Sequence, residues 1–235
     1  MKKEDLENII IAHRGIYDND KVPENSIKSF EEAIKKNIPI ELDIHLTKDN
    51  EIVVFHDDNL KRMTGIDKEI KDIKYSELKE LKLLNTKEKI PLLKDVLKLV
   101  DGKVLIDIEI KDDKRLFKML NLLIKILDNY KGDFIIKSFY IKYMFYLNIF
   151  KHNYIRGILI KKIENKFYNY FLNSNILIKI VSPHFLAYNK KIINSKIISK
   201  NKKRNIKTFI WTIKNEDEMN KYKNQNISYI TEYVK

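Results

Sequence analysis

The chain has no cysteine among its 235 residues, which excludes disulfides, thiol chemistry and a thiolate metal site. No apolar run approaches the ~18 residues that a membrane-crossing helix needs. The N-terminus, MKKEDLENIIIAH, carries acids where a secretory leader carries bases, and its apolar run is short. A soluble, cytoplasmic protein is the expectation. Internal repeats and flexible linkers are missing too. Acids are scarce in one place: residues 141–207 hold Glu164 alone against 15 Lys and Arg, while the rest balances 31 bases with 32 acids. The net charge of +13 therefore sits in that segment. It also carries Tyr143, Phe145, Tyr146, Phe150, Tyr154 and four more aromatics between Phe167 and Phe171. A basic, aromatic surface suits nucleic acid or anionic lipid. The competing reading is compositional drift toward Lys, Asn, Ile and Tyr.

What is present is concentrated in Ile38–Met63. Glu41 and Asp43 stand two apart in an apolar run, so a strand puts both carboxylates on one face. A buried acid pair needs a cation or protons. Thr47-Lys48-Asp49-Asn50 then reads as a turn between two β-branched runs. If Thr47 faces Ile52 across that turn, Asp43 falls opposite His56.

Strand-like and helix-like stretches alternate along the chain. The first strand covers residues 9–13 and the second 38–44, with a helix over 26–36 between them, capped by Asn25 or Ser26. The hairpin arm 52–56 leads into a charged excursion, 57–89, read as a small subdomain inserted in a single domain of residues 1–235. It shows one short helical pattern, near 76–83. Further strands are expected over 103–109, 133–138, 154–160, 176–182, 206–212 and 227–231. Helices are expected over 92–100, 114–129, 140–151, 163–172, 188–200 and 215–223. Eight strands separated by helices imply a parallel sheet, and in this length a (β/α)8 TIM barrel. The sequence ends at Lys235, directly after the eighth strand, so an eighth helix is not expected; residues 1–8 are candidates to cover that gap.

Active sites of such barrels lie at the C-terminal strand ends. His13, Glu41, Asp43 and Glu109 fall there, with Lys111 two residues on and Ser138, Ser182 and Trp211 on later strands. Glu41, Asp43 and Glu109 form an all-oxygen set suited to Mg2+ or Ca2+; the alternative is a salt-bridge network with Arg14 and Lys111. Those two cations are better read as phosphate clamps. His13 and His56 suit acid–base work because imidazole titrates near neutrality. Trp211 is either a pocket floor or core. His45 is either a supporting residue or hairpin surface, His184 is a pocket-lining candidate, and His152 is expected on the surface.

His13-Arg14-Gly15, Pro23-Glu24-Asn25-Ser26, Glu41-Leu42-Asp43, Thr47-Lys48-Asp49, His56-Asp57 and Arg62 with Thr64-Gly65 form an ordered series. Ile108-Glu109-Ile110-Lys111, Ser138-Phe139, Trp211-Thr212 and Thr231 continue it. The series resembles the signature of the glycerophosphodiester phosphodiesterase family, strongly to Lys111 and thinly between Tyr140 and Lys207. The resemblance implies the same barrel, Glu41, Asp43 and Glu109 as ligands of a divalent metal, and hydrolysis of a small glycerophosphodiester to glycerol 3-phosphate and an alcohol. Glu24 and Asn25 match its PEN element, supporting Arg14 or the metal; helix capping is their alternative. The series departs at Thr231-Glu232-Tyr233, where the family has Thr-Asp and a proline, and a local effect on barrel closure is expected. A lysophospholipid or another polyol phosphodiester is the alternative substrate, with 141–207 touching anionic lipid. A nucleic-acid partner is not expected, because binding alone requires no such set of acids and histidines.

Overall fold

The computed structural model describes residues 1–162 and 174–234. The expected helix over 163–172, with Glu164 and the aromatics Phe167 to Phe171, lies outside the described residues. The fold is a (β/α)8 barrel: eight parallel strands alternate with helices, and one antiparallel arm is added to the second strand. No helix among the described residues is long and apolar enough to cross a membrane. The chain divides into two compact units, Ala12–Asp133 and Met1–Ile11 with Phe134–Lys235.

In the first unit, Ala12, the last residue of β1 (Ile10–Ala12), pairs with Ile40 at the start of β2 (Ile40–Leu46). Helix α1 (Ile27–Lys35) connects them, and Ser26 is its cap: its Oγ accepts from Ser29 N at 3.1 Å while Ser29 Oγ accepts from Ser26 N at 3.2 Å. Strand β2 is buried along its whole length, and both of its edges are paired. One edge pairs in parallel with β4 (Ile106–Ile110) from Ile40–Ile106 to Ile44–Ile110. The other serves β1 at its start and the antiparallel arm β3 (Ile52–Val54) at its end. That arm corrects the expected register by one residue. Leu46 faces Ile52, and Phe55 N donates to Asp43 O at 2.9 Å, so Phe55, not His56, is opposite Asp43.

Residues 57–89 hold two single helical turns, α2 (Lys61–Thr64) and α3 (Tyr75–Leu78), and a short 3-10 turn at Ile70–Asp72. The helical pattern near 76–83 thus yields one turn only. The segment's apolar residues, Leu60, Met63, Ile70, Ile73, Leu78 and Leu83, join Val53 and Phe55 in one buried cluster. Helix α4 (Leu93–Val100) buries Leu93, Val96, Leu97 and Val100, the i, i+3, i+4, i+7 stripe of an amphipathic helix. Helix α5 (Leu116–Leu127) closes the unit.

The second unit aligns β5 (Phe134–Ser138), β6 (Arg156–Ile160), β7 (Phe185–Asn189), β8 (Lys207–Ile213) and β9 (Ser228–Thr231) in parallel order. Helices α6 (Ile141–Phe150), α7 (Asn175–Val181), α8 (Ser195–Lys203) and α9 (Glu216–Asn220) lie between them. Here the sequence reading fails once: 176–182 is a helix, and the strand is Phe185–Asn189, inside the stretch read as loop and helix. Ile176, Ile178, Ile180 and Val181 favour a strand locally, but tertiary packing buries only Leu177 and Val181, four apart. Ser174 Oγ caps the helix by accepting from Leu177 N at 3.1 Å, and Ser182, in the left-handed region, ends it before Pro183.

Residues 1–8 do tie down the end of the sheet. Leu6 is buried, Ser228 Oγ donates to Leu6 O at 2.8 Å, and Ile9 N donates to Ser228 Oγ at 3.0 Å. At the other end of β9, Thr231 Oγ1 donates to Ile213 O at 2.9 Å, and Glu232 N reaches the same carbonyl at 2.9 Å.

Candidate active site

The Ala12–Asp133 unit gathers most of the expected site. Parallel pairing of β2 with β4 puts Glu41 beside Asp107 and Asp43 beside Glu109 on one face. Glu41, Asp43 and Glu109 are buried, and one carboxylate oxygen from each lies within 4.8 Å of the others. Lys111 follows on the same side, its Nζ 2.7 Å from Asp43 Oδ1 and 2.5 Å from Glu109 Oε1. Asp107 on this face is fully buried and was not picked out in sequence.

Two loops interlock above the acids. Arg14 and Asn25 both adopt left-handed backbone, with φ of 59° and 54°, and Asn25 N donates to Arg14 O at 3.0 Å. Gly15 follows with φ 82°, where an added Cβ would lie 2.5 Å from Ser29 Oγ; only glycine fits that close approach. This geometry turns the Arg14 N–H onto Glu41 Oε2 at 3.0 Å. The Arg14 side chain donates to Glu24 Oε1 at 2.7 Å, and its Nε lies 3.6 Å from Asp43 Oδ2. Asn25 Nδ2 donates to Asp43 Oδ2 at 2.9 Å. Glu24 and Asn25 therefore hold Arg14 and Asp43, while the capping role belongs to Ser26.

The one-residue register shift removes His56 from the position opposite Asp43 but keeps its charge close enough to act on that acid. The His56 ring is held from one side: Nδ1 lies 2.6 Å from Asp57 Oδ1. Arg62 then binds both carboxylates. Its Nε and Nη2 donate to Asp57 at 2.6 and 3.1 Å, and its Nη2 and Nη1 donate to Glu24 at 2.6 and 3.1 Å. Asp57 and Arg62 were not assigned roles from sequence, although both stand in the motif series; an acid directly following a histidine was the signal. His45 is buried under the hairpin, with Nε2 3.2 Å from His56 O. His13 is half-buried at the end of β1, next to Arg14.

The electrostatics follow from burial among opposite charges. Burial raises the Asp43 carboxyl, but Lys111, His56 and Arg14 outweigh it and hold the group well below the usual range. Burial works against the Lys111 ammonium too, yet Asp43 and Glu109 raise it. Asp57 is brought down to about 2, burial being overcome by the hydrogen bonds from Arg62 and His56. An ionised Asp57 can only accept, so the His56 Nδ1 carries the proton toward it and Nε2 is left for chemistry.

Ser138 and Trp211 belong to the other unit. Ser138 Oγ accepts from Tyr140 N at 3.1 Å. Trp211 Nε1 donates to Ala187 O at 3.0 Å, and its ring meets Phe139 edge-on at 5.5 Å. Ser182 and His184 do not close a strand: both precede β7, at its N-terminal end, where His184 Nδ1 accepts from Arg156 N at 3.2 Å. The expectation that they line the pocket is therefore withdrawn. His152 is exposed, as expected.

The three carboxylates suit a hard divalent cation: all donors are oxygens, all are buried, and their spacing allows one ion to touch each. A glycerophosphodiester phosphodiesterase of Caldanaerobacter subterraneus subsp. tengcongensis is 40% identical over 114 residues, 45% of this chain and 46% of the relative. The human lysophospholipase D GDPD1 is 46% identical over 69 residues, 29% of this chain and 21% of the relative. The chain thus matches about half the length, or less, of these curated relatives. A solved phosphodiesterase of Oleispira antarctica, in complex with the product sn-glycerol-3-phosphate, superposes with a TM-score of 0.86 at 21% identity, covering 99% of this chain and 96% of that one. The model of the glycerophosphoryl diester phosphodiesterase family matches residues 13–231, nearly the whole chain, and the protein belongs to that family.

Proposed function

We propose that the chain is a metal-dependent phosphodiesterase that hydrolyses a glycerophosphodiester to glycerol 3-phosphate and an alcohol. The observation that carries this reading is the convergence of three buried carboxylates with Arg14 and Lys111 in one unit that also holds His13 and His56. A bound Mg2+ or Ca2+ supplies neutralisation of charge developing on the phosphate. Arg14 offers a guanidinium fork and Lys111 a point charge to the phosphate oxygens. His13 and His56 exchange the protons, and Glu24 and Asn25 hold the clamp and the acid. Trp211 and Ser138 are assigned to substrate contact and support by family resemblance alone. We take residues 1–235 as one catalytic domain with 57–89 as its insertion, acting in the cytoplasm.

The chain offers no cysteine, and the sequence gives neither Ser26 nor Ser138 an evident base, so we assign the attack to water or to a hydroxyl of the substrate. A glycerol phosphodiester carries a hydroxyl beside the ester oxygen, tethered to the phosphorus. Such intramolecular attack reaches effective molarities of about 10⁵ M or more. One histidine takes the hydroxyl proton and the other protonates the departing alcohol, giving a cyclic phosphate. Water then opens it with the roles exchanged.

A second substrate class, lysophospholipids, is favoured by the name of the human relative and by apolar side chains on the basic segment. Phe145, Ile149 and Phe150 on α6 and Ile176 and Ile180 on α7 are exposed, and Asn148 Nδ2 donates to Ile180 O, tying the two helices together. We assign this face a peripheral contact with anionic lipid. The deciding assay follows release of glycerol 3-phosphate from glycerophosphocholine, glycerophosphoethanolamine and glycerophosphoglycerol, and of acylated glycerol 3-phosphate from lysolipids, with and without added metal. Release from none of them removes the proposed activity.

A further inference from the structure

We propose that Arg62 is a positioning residue of this site, one guanidinium that locks the acid holding His56 to the acid holding Arg14. The inference rests on the phosphodiesterase reading for its kinetic consequences, but its geometry stands by itself. Four nitrogen-to-oxygen contacts between 2.6 and 3.1 Å leave Arg62, two to Asp57 and two to Glu24. Beyond Asp57 lies the His56 ring at 2.6 Å, and beyond Glu24 lies Arg14 at 2.7 Å. A continuous chain, His56–Asp57–Arg62–Glu24–Arg14, thus joins a proton-transfer group to a phosphate-binding group.

Two interior links of this series, Glu24 and Arg62, are fixed from outside. Glu24, 4% exposed, also accepts from Asn19 Nδ2 at 3.0 Å, and its N–H donates to Asn19 Oδ1 at 2.9 Å. Arg62 sits on α2 between residues that anchor the turn, because Leu60 and Met63 are buried in the apolar cluster of the 57–89 segment. The insertion therefore has a consequence for the site: it presents one arginine at a set height. A lysine could neutralise the two acids but could not make two contacts to each, because an ammonium lacks the planar fork. The Arg62 side chain is 44% exposed, so a small cation from solvent can reach its place.

The test uses Arg62→Ala and Arg62→Lys in the full chain, with kcat, KM and thermal melting measured together. Arg62→Ala is expected to lower kcat by about 10–100-fold, the usual cost of losing a partner that orients a site group, with guanidinium in the buffer restoring part of the rate. Arg62→Lys should regain little of it. The low-field NMR signal of the His56 Nδ1 proton, read without substrate, should broaden or move in both variants. A kcat within twofold of the unsubstituted protein, full activity of Arg62→Lys, or an unchanged His56 signal would overturn the proposal. If the unsubstituted protein cleaves no phosphodiester, the functional reading fails, and the His56 signal still decides the bridge.

Discussion

Lys111 bridges Asp43 and Glu109, two of the three acids that suit a divalent cation, its Nζ 2.7 and 2.5 Å from their oxygens. The ammonium and a metal therefore compete for the same lone pairs. Glu41 Oε2 accepts the Arg14 N–H at 3.0 Å. Glu41→Gln, Asp43→Asn and Glu109→Gln should each cost about 100-fold or more in kcat/KM, because a hard cation loses an anionic ligand worth several kcal/mol. Circular dichroism should show the fold retained. Undiminished turnover in a strong chelator would remove the metal from the mechanism.

His56 has its Nδ1 committed to Asp57, which leaves Nε2 for proton transfer with substrate. With His13 as the opposite partner, His13→Ala and His56→Ala should each lose about 10²–10⁴-fold in rate. The double variant should lose far less than the product, since the pair acts as a unit. A substrate analogue lacking the 2-hydroxyl should bind without being cleaved. Cleavage at the normal rate would leave direct attack by water.

The barrel was legible because its strands are either apolar runs or, in β2 and β4, apolar runs broken by acids at every second residue. That alternation put Glu41 with Asp43, and Glu109 with Lys111, on one face of their own strands from spacing, and the barrel reading brought the two pairs to the strand ends. The hairpin was legible in outline but not in register. Shifting it by one residue changes which side chain faces Asp43, and nothing local in Thr47 to Ile52 distinguishes the two registers. Helix α7 was misread because its β-branched residues speak for a strand, whereas the evidence against it lay in the flanking Ser174 and Pro183. The tie between Arg62 and Glu24 crosses 38 positions of sequence, and no periodicity reports such a contact.

The basic segment 141–207 divides once its side chains are placed. Tyr143 and Tyr154 are buried, so they are core, whereas Phe145, Ile149 and Phe150 remain exposed beside Lys142. If this face meets anionic lipid, the protein should cosediment with acidic vesicles at low salt and release as salt rises through a Debye length of about 10 Å. Replacing Phe145, Ile149 and Phe150 together with Ser should weaken the binding at every salt concentration. No retention on acidic vesicles at low salt would return the segment to compositional drift.

His184 gives a pH test independent of the catalytic groups. Burial, with Arg156 and Lys3 adding like charge, lowers its pKa from 6.5 to about 4. Its Nδ1 accepts from Arg156 N at 3.2 Å, an interaction that needs an unprotonated nitrogen. The folded state therefore resists a proton that the unfolded chain takes up once pH falls below 6.5. In that window the unfolded state binds more protons, so stability rises with pH. The His184 contribution is complete above 6.5 and declines progressively down to about 4. His184→Gln removes the titration while keeping an acceptor. The difference in urea midpoint between the unsubstituted protein and this variant should be largest near pH 7.5 and narrow toward about pH 4.5. A difference that stays constant over that range would show that His184 does not titrate between the two states, and the acid sensitivity of the fold would then have to come from the carboxylates.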